Sequence, residues 1–182
     1  MRGGVRRRRN SPRLGVGFTL WSAVLAGCGA SMTVAPPIAP PAALDFRLPG
    51  RVVYDGNPEY LPRTIVAAPG GAAAVTLQYS YTVTQGRQDV PGLVALFNPL
   101  TAIGFPVGQD TLVVGGRLEI RKRDQVVKTY VATAGLESTR NIFWAGDTAT
   151  ELRRRGLLAV RDNIEAQMQH ERDVLSQLAN DN

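Results

Sequence analysis

Apolar and polar positions alternate along residues 74–85, where Val75, Leu77, Tyr79, Tyr81 and Val83 face one way and Thr76, Gln78, Ser80, Thr82 and Thr84 the other. A period of two is that of an extended strand with one buried face. Its second face, hydroxylated and amide-bearing, predicts an antiparallel sheet open to water on one side. Shorter strand signals precede it at residues 51–54 and 63–67, each bounded by proline, glycine or asparagine. Two β-rich arms follow, residues 110–121 and 126–134, joined across Lys122, Arg123, Asp124 and Gln125 as a hairpin. Gly115 and Gly116 fall inside the first arm and predict a bulge or a close backbone approach. No helix start adjoins them, so they are not a phosphate-binding loop.

From Thr148 the period lengthens to that of a helix. Thr148-Ala149-Thr150-Glu151 is a capping box, with a hydroxyl at the cap and an acid three residues on. Leu152, Ala159, Ile164, Met168, Leu175 and Leu178 recur at helical spacing, and Leu157 and Val160 widen the stripe. Arg153, Arg154, Arg161, Asp162, Glu165 and Arg172 take the other positions. The pattern predicts one long helix across the sheet, turning polar and fraying near His170. Gly156 in its interior costs about 1 kcal/mol against alanine, so it marks a close contact with a strand or a bend.

Residues 90–107 carry no charge over eighteen positions and divide the sheet pattern in two. Pro91, Pro99 and Pro106 argue against a continuous membrane-spanning helix, since each interior proline costs about 3 kcal/mol. Two readings stay open. One is a buried loop with a helical turn over residues 93–97. The other is an exposed surface that docks on a partner or enters the bilayer through Leu93, Leu96, Phe97, Ile103 and Phe105.

The start of the chain differs in kind. Arg2, Arg6, Arg7, Arg8, Arg9 and Arg13 come with no acidic residue, and the fourteen residues 14–27 are uncharged. That run is shorter than the roughly 20 residues a spanning helix needs and fits an export signal over residues 1–27. The only cysteine of the chain closes it, in Leu25-Ala26-Gly27-Cys28. This motif resembles the lipobox of bacterial lipoproteins. The resemblance implies a diacylglycerol thioether on Cys28, cleavage before it, and acylation of the new amine. Two or three such chains, at about 0.8 kcal/mol per buried CH₂, hold a protein on a membrane permanently. Gly29 is not the aspartate associated with inner-membrane retention, so the same resemblance implies the periplasmic face of the cell outer membrane.

Removal of that peptide changes the charge balance. The chain has 21 Lys+Arg against 15 Asp+Glu, and six of the arginines precede Cys28, so what remains is neutral. A nucleic-acid partner is thereby excluded, and Arg121-Lys122-Arg123 and Arg153-Arg154-Arg155 are expected to be solvated faces. Residues 28–49 hold Pro36, Pro37, Pro40 and Pro41, which favour polyproline geometry. They predict a tether that lifts the domain about 40–50 Å from the bilayer.

Candidate chemistry is sparse. The chain has one histidine, no thiol besides Cys28, and no spacing that suits a metal. No catalytic residue, cofactor site or metal site is expected, and His170 is expected to face solvent. Asp45, Asp55, Glu59, Asp89 and Asp110 fall singly in predicted loops, while Asp147, Glu151 and Asp162 suit helix-start electrostatics and surface charge.

Strands followed by a long terminal helix on a lipidated tether resemble the small αβ modules of bacterial envelope lipoproteins. These include auxiliary lipoproteins of transport systems and the family of the curli secretion lipoprotein. The expectation is an α+β domain over residues 50–182, mainly antiparallel sheet with one long C-terminal helix. Its expected role is that of a non-catalytic adaptor or assembly factor, held on the membrane through Cys28 and contacting other envelope proteins. The alternatives are a carrier of a small lipid or amphiphile, and a secretion or pore subunit that inserts residues 90–107.

Overall fold

The fold is α+β, and the computed structural model describes residues 30–41, 43–69, 73–89, 106–141, 143 and 145–180. Six strands, β1 (Ala30–Ala35), β2 (Leu48–Val53), β3 (Ile65–Ala67), β4 (Thr76–Asp89), β5 (Gly108–Lys122) and β6 (Gln125–Arg140), make one sheet in the order β1-β6-β5-β4-β2-β3. The pairs β1–β6, β5–β6 and β4–β5 are antiparallel, whereas β2 runs parallel to β3 and to β4. Helix α1 (Ala149–His170) lies across one face and a short helix α2 (Arg172–Asn180) continues from it.

The alternation read from the sequence sets the core. Leu112, Val114, Leu118 and Ile120 of β5 and Ala132, Ala134 and Leu136 of β6 turn to the helix and are buried with Leu77 and Tyr79 of β4. Leu152, Leu157, Val160, Ile164 and Met168 of α1 meet them and are fully buried. Each such side chain contributes about 1.5–3 kcal/mol by leaving water. Helix and sheet come close because two glycines face across the interface. A Cβ on Gly156 would stand 2.7 Å from Val114 Cγ2 and 2.8 Å from Leu136 Cδ1, and one on Gly116 would overlap Val160 Cγ1. Gly116 is therefore the close approach that the strand pattern expects. The bulge of this hairpin falls elsewhere, between Ile120 and Arg121.

Thr148 caps α1 as its motif requires, its Oγ1 accepting from the Glu151 amide at 3.2 Å. Two features of the helix depart from expectation. The polar stretch does not fray: α1 stops at Glu171, whose N–H donates to Gln167 O and Met168 O, and α2 then turns Leu175 into the core. Glu165, placed by its charge on the outside, is 1% exposed. Its carboxylate accepts from the Arg63 backbone amide and, at 2.7 Å, from Arg63 Nη2, and this pairing is what allows its burial.

Two further expectations change. The uncharged stretch 90–107 does not split the sheet, because β4 and β5 stay in register as far as Asp89 opposite Gly108, so it joins two paired strands. The residues after Cys28 are not a free spacer. Ala30–Ala35 is an edge strand on β6, Asn163 Nδ2 donates to Pro36 O at 2.8 Å, and Phe46 packs against the core. The proline-rich chain is thus laid along the domain and does not extend away from it as a spacer.

Candidate functional site

Cys28, Leu93, Leu96, Phe97, Ile103 and Phe105, the site residues singled out in the sequence, lie outside the described residues. The structure does define where the chain enters and leaves around them, and both places are at one end of the sheet. Ala30 pairs with Ser138, Asp89 with Gly108, and Gly108 with Arg140. The start of β1, the end of β4, the start of β5 and the end of β6 therefore meet there.

Side chains on the helix-facing side close that end with an ion cluster. Arg87 stands directly across the ladder from Asp110. Its Nε lies 2.9 Å from Asp89 Oδ2 and 3.9 Å from Asp110 Oδ1. Arg140 Nη2 donates to Asp89 Oδ1, and its Nε is 3.0 Å from Asp110 Oδ2, an ion pair without an aligned hydrogen bond. The Arg140 guanidinium, by its hydrogen bond, holds the Asp89 carboxyl below the usual carboxylate range. Two cations and two anions leave the cluster neutral. In the sequence Asp89 and Asp110 were isolated acids in loops. They lie instead on paired strands, and the signal that could have joined them was the Arg87/Asp89 alternation carried across the hairpin.

The chain from β6 to α1 borders the same cluster. Gly146, at φ +78°, makes the turn that lets the Asp147 amide donate to Ser138 Oγ at 3.1 Å. Asp147 Oδ2 then pairs with Arg155 Nη1 at 2.6 Å. Between them Phe143, whose amide donates to Asn141 Oδ1 at 2.8 Å, projects with 72% of its surface exposed. The sequence reading passed over Phe143.

The opposite face of the sheet carries no helix among the described residues. Thr84, Val113, Gly135 and Thr33 form one row across it and Thr82, Gly115 and Thr133 the next. Val113 and Val131 are about half exposed there. A shallow depression of about 280 Å³ lies over Ser31, Thr33, Val113 and Glu137.

A third location is the open groove of about 470 Å³ between residues 37–39, β6 and the end of α1. Its polar groups are committed to one another. Glu171 Oε2 takes Lys128 Nζ at 2.7 Å and the Tyr130 hydroxyl at 2.8 Å, and Lys128 lies 5.5 Å from the Tyr130 ring centre. The Lys128 ammonium, above all, depresses the Glu171 carboxyl, while burial and then Glu171 raise the Tyr130 phenol. His170 is solvent-exposed and its Nδ1 is 2.7 Å from Ala166 O. Among the described residues no group of three His, Cys, Asp or Glu side chains could hold a metal ion. Among the same residues no helix is long and apolar enough to cross a membrane.

No family profile and no curated protein matches the chain. Among solved structures, a SecB-like chaperone of Mycobacterium tuberculosis, in complex with a peptide from an antitoxin, aligns with 86% of this chain and 88% of its own. The identity is 13% and the TM-score 0.25, a likeness too slight to carry an argument.

Proposed function

We propose that the protein is a lipoprotein, acylated on Cys28 and anchored at the periplasmic face of the outer membrane, acting without catalysis as an adaptor or assembly factor in the cell envelope. The observation that carries the anchoring is the sequence Leu25-Ala26-Gly27-Cys28, placed after six arginines and an uncharged run. Ala30, two residues on, is already paired with Ser138, so an anchor on Cys28 would sit next to the sheet. The adaptor role is supported by the sheet face opposite α1, on which no helix lies among the described residues. Its threonines, serines and half-exposed valines form a broad, shallow surface suited to another protein's surface more than to an enclosed small molecule.

The test is metabolic labelling with palmitate. The wild-type chain is expected to take the label and to fractionate with outer membranes, and Cys28→Ser to lose the label and leave the membrane fraction. Equal labelling of the two chains would refute the anchor. For the adaptor role, a photocrosslinker at Val113 is expected to give a discrete adduct in intact cells, and one at Arg153 on the exposed helix surface is not.

A further inference from the structure

We infer that the end of the sheet carrying Ala30, Asp89, Gly108 and Arg140 rests on phospholipid headgroups, with Phe143 at the contact. The inference rests on acylation of Cys28 as proposed above and adds an orientation to it. Its first ground is reach. Ala30 is already fixed opposite Ser138, and the two residues back to Cys28 span at most about 7 Å of extended chain. The headgroup layer on each side of a bilayer is itself roughly 5–8 Å thick. A cysteine whose acyl chains are in the hydrocarbon therefore holds the start of β1 at the membrane surface.

The second ground is chemistry at that end. Phe143 is a bulky apolar side chain, 72% exposed, and Trp144 follows it in the sequence. Tryptophan and tyrosine concentrate at the boundary between lipid and water, and an exposed phenylalanine adds apolar surface there. The chain between Asp89 and Gly108, uncharged over residues 90–107, leaves and re-enters the fold at the same end. Arg87 and Arg140 neutralise Asp89 and Asp110, so the cluster sets no net negative charge against anionic headgroups. The far end of the same strands carries Lys122, Arg123 and Asp124. Strands of fifteen residues place it about 50 Å away.

Trp144 is the only tryptophan after Cys28 and serves as the reporter. The acylated protein, purified from membranes, is reconstituted into phosphatidylethanolamine–phosphatidylglycerol vesicles with or without brominated acyl chains. Trp144 is expected to lose fluorescence on brominated lipid relative to unbrominated lipid. The variant Trp144→Phe/Val127→Trp, with its tryptophan at an exposed site near the far end, is expected to lose none. Trp144 left unquenched in protein that floats with the vesicles and carries acyl chains by mass spectrometry overturns the orientation while leaving the anchor intact. Equal quenching at both positions overturns it too. A purified protein without acyl chains refutes the proposed anchor, and the orientation with it.

Discussion

Glu165 turns a carboxylate into the seam between α1 and the loop before β3, where it holds the backbone amide and the guanidinium of Arg63. Removing it leaves a part-buried N–H unpaired and loosens a half-exposed cation, so Glu165→Ala is expected to cost about 2 kcal/mol in urea unfolding. Tyr79 is the converse case. Its ring packs 5.3 Å from that of Tyr54, yet its hydroxyl is buried with no hydrogen-bond partner among the described residues. Tyr79→Phe is expected to leave the unfolding midpoint unchanged or to raise stability by about 1 kcal/mol; a loss of that size would reveal a partner for the hydroxyl. Glu171, with Asp89, shapes the response to acid. Its carboxyl is held below the ordinary 4.5 by Lys128, so the stabilisation is complete above that pH and is lost as pH falls through the lower folded value. Lys128→Met is expected to flatten the acid limb of a stability-against-pH curve below about pH 4.5 and to leave its slope near neutrality unchanged. Glu165 was misplaced in the sequence because a single charge in a helical stripe looks exposed until its partner, 102 residues away, is known.

Among elements, the β5–β6 hairpin was legible because both arms are rich in branched residues and meet across the polar run from Lys122 to Gln125. Its two-residue turn places Arg123 at φ 50° and Asp124 at φ 67°, the left-handed region that asparagine and glycine tolerate best. Arg123→Asn/Asp124→Gly is expected to gain about 1 kcal/mol, seen as a higher midpoint of thermal unfolding with unchanged far-ultraviolet dichroism. Helix α1 was legible from its capping box, and Gly156 from its cost. Strand β1 was not. Ala-Ser-Met-Thr-Val-Ala alternates over only five positions, and four nearby prolines dominate the local signal. Only pairing with β6, about a hundred residues on, makes it a strand. The ion cluster was hidden for a related reason. The uncharged stretch between Asp89 and Asp110 concealed that β4 and β5 are neighbours.

At the scale of the molecule, the sheet has two unlike ends and two unlike faces. One face is sealed by α1, and the other offers hydroxyls and half-exposed valines. One end carries basic residues at a tight turn, and the other gathers a self-neutralised ion cluster, an exposed Phe143 and Ala30, two residues after Cys28 in the sequence. This polarity suits a domain held close against a membrane by one end and displaying its open face sideways. The proposed anchor and orientation both depend on the chemistry of Cys28. The most direct measurement is the intact mass of the mature protein extracted from membranes of the native host. The expected result is a chain beginning at Cys28 and heavier than its peptide mass by a diacylglyceryl group, with or without an amide-linked acyl chain. A chain that retains residues 1–27, or one that begins elsewhere with an unmodified thiol, would contradict it.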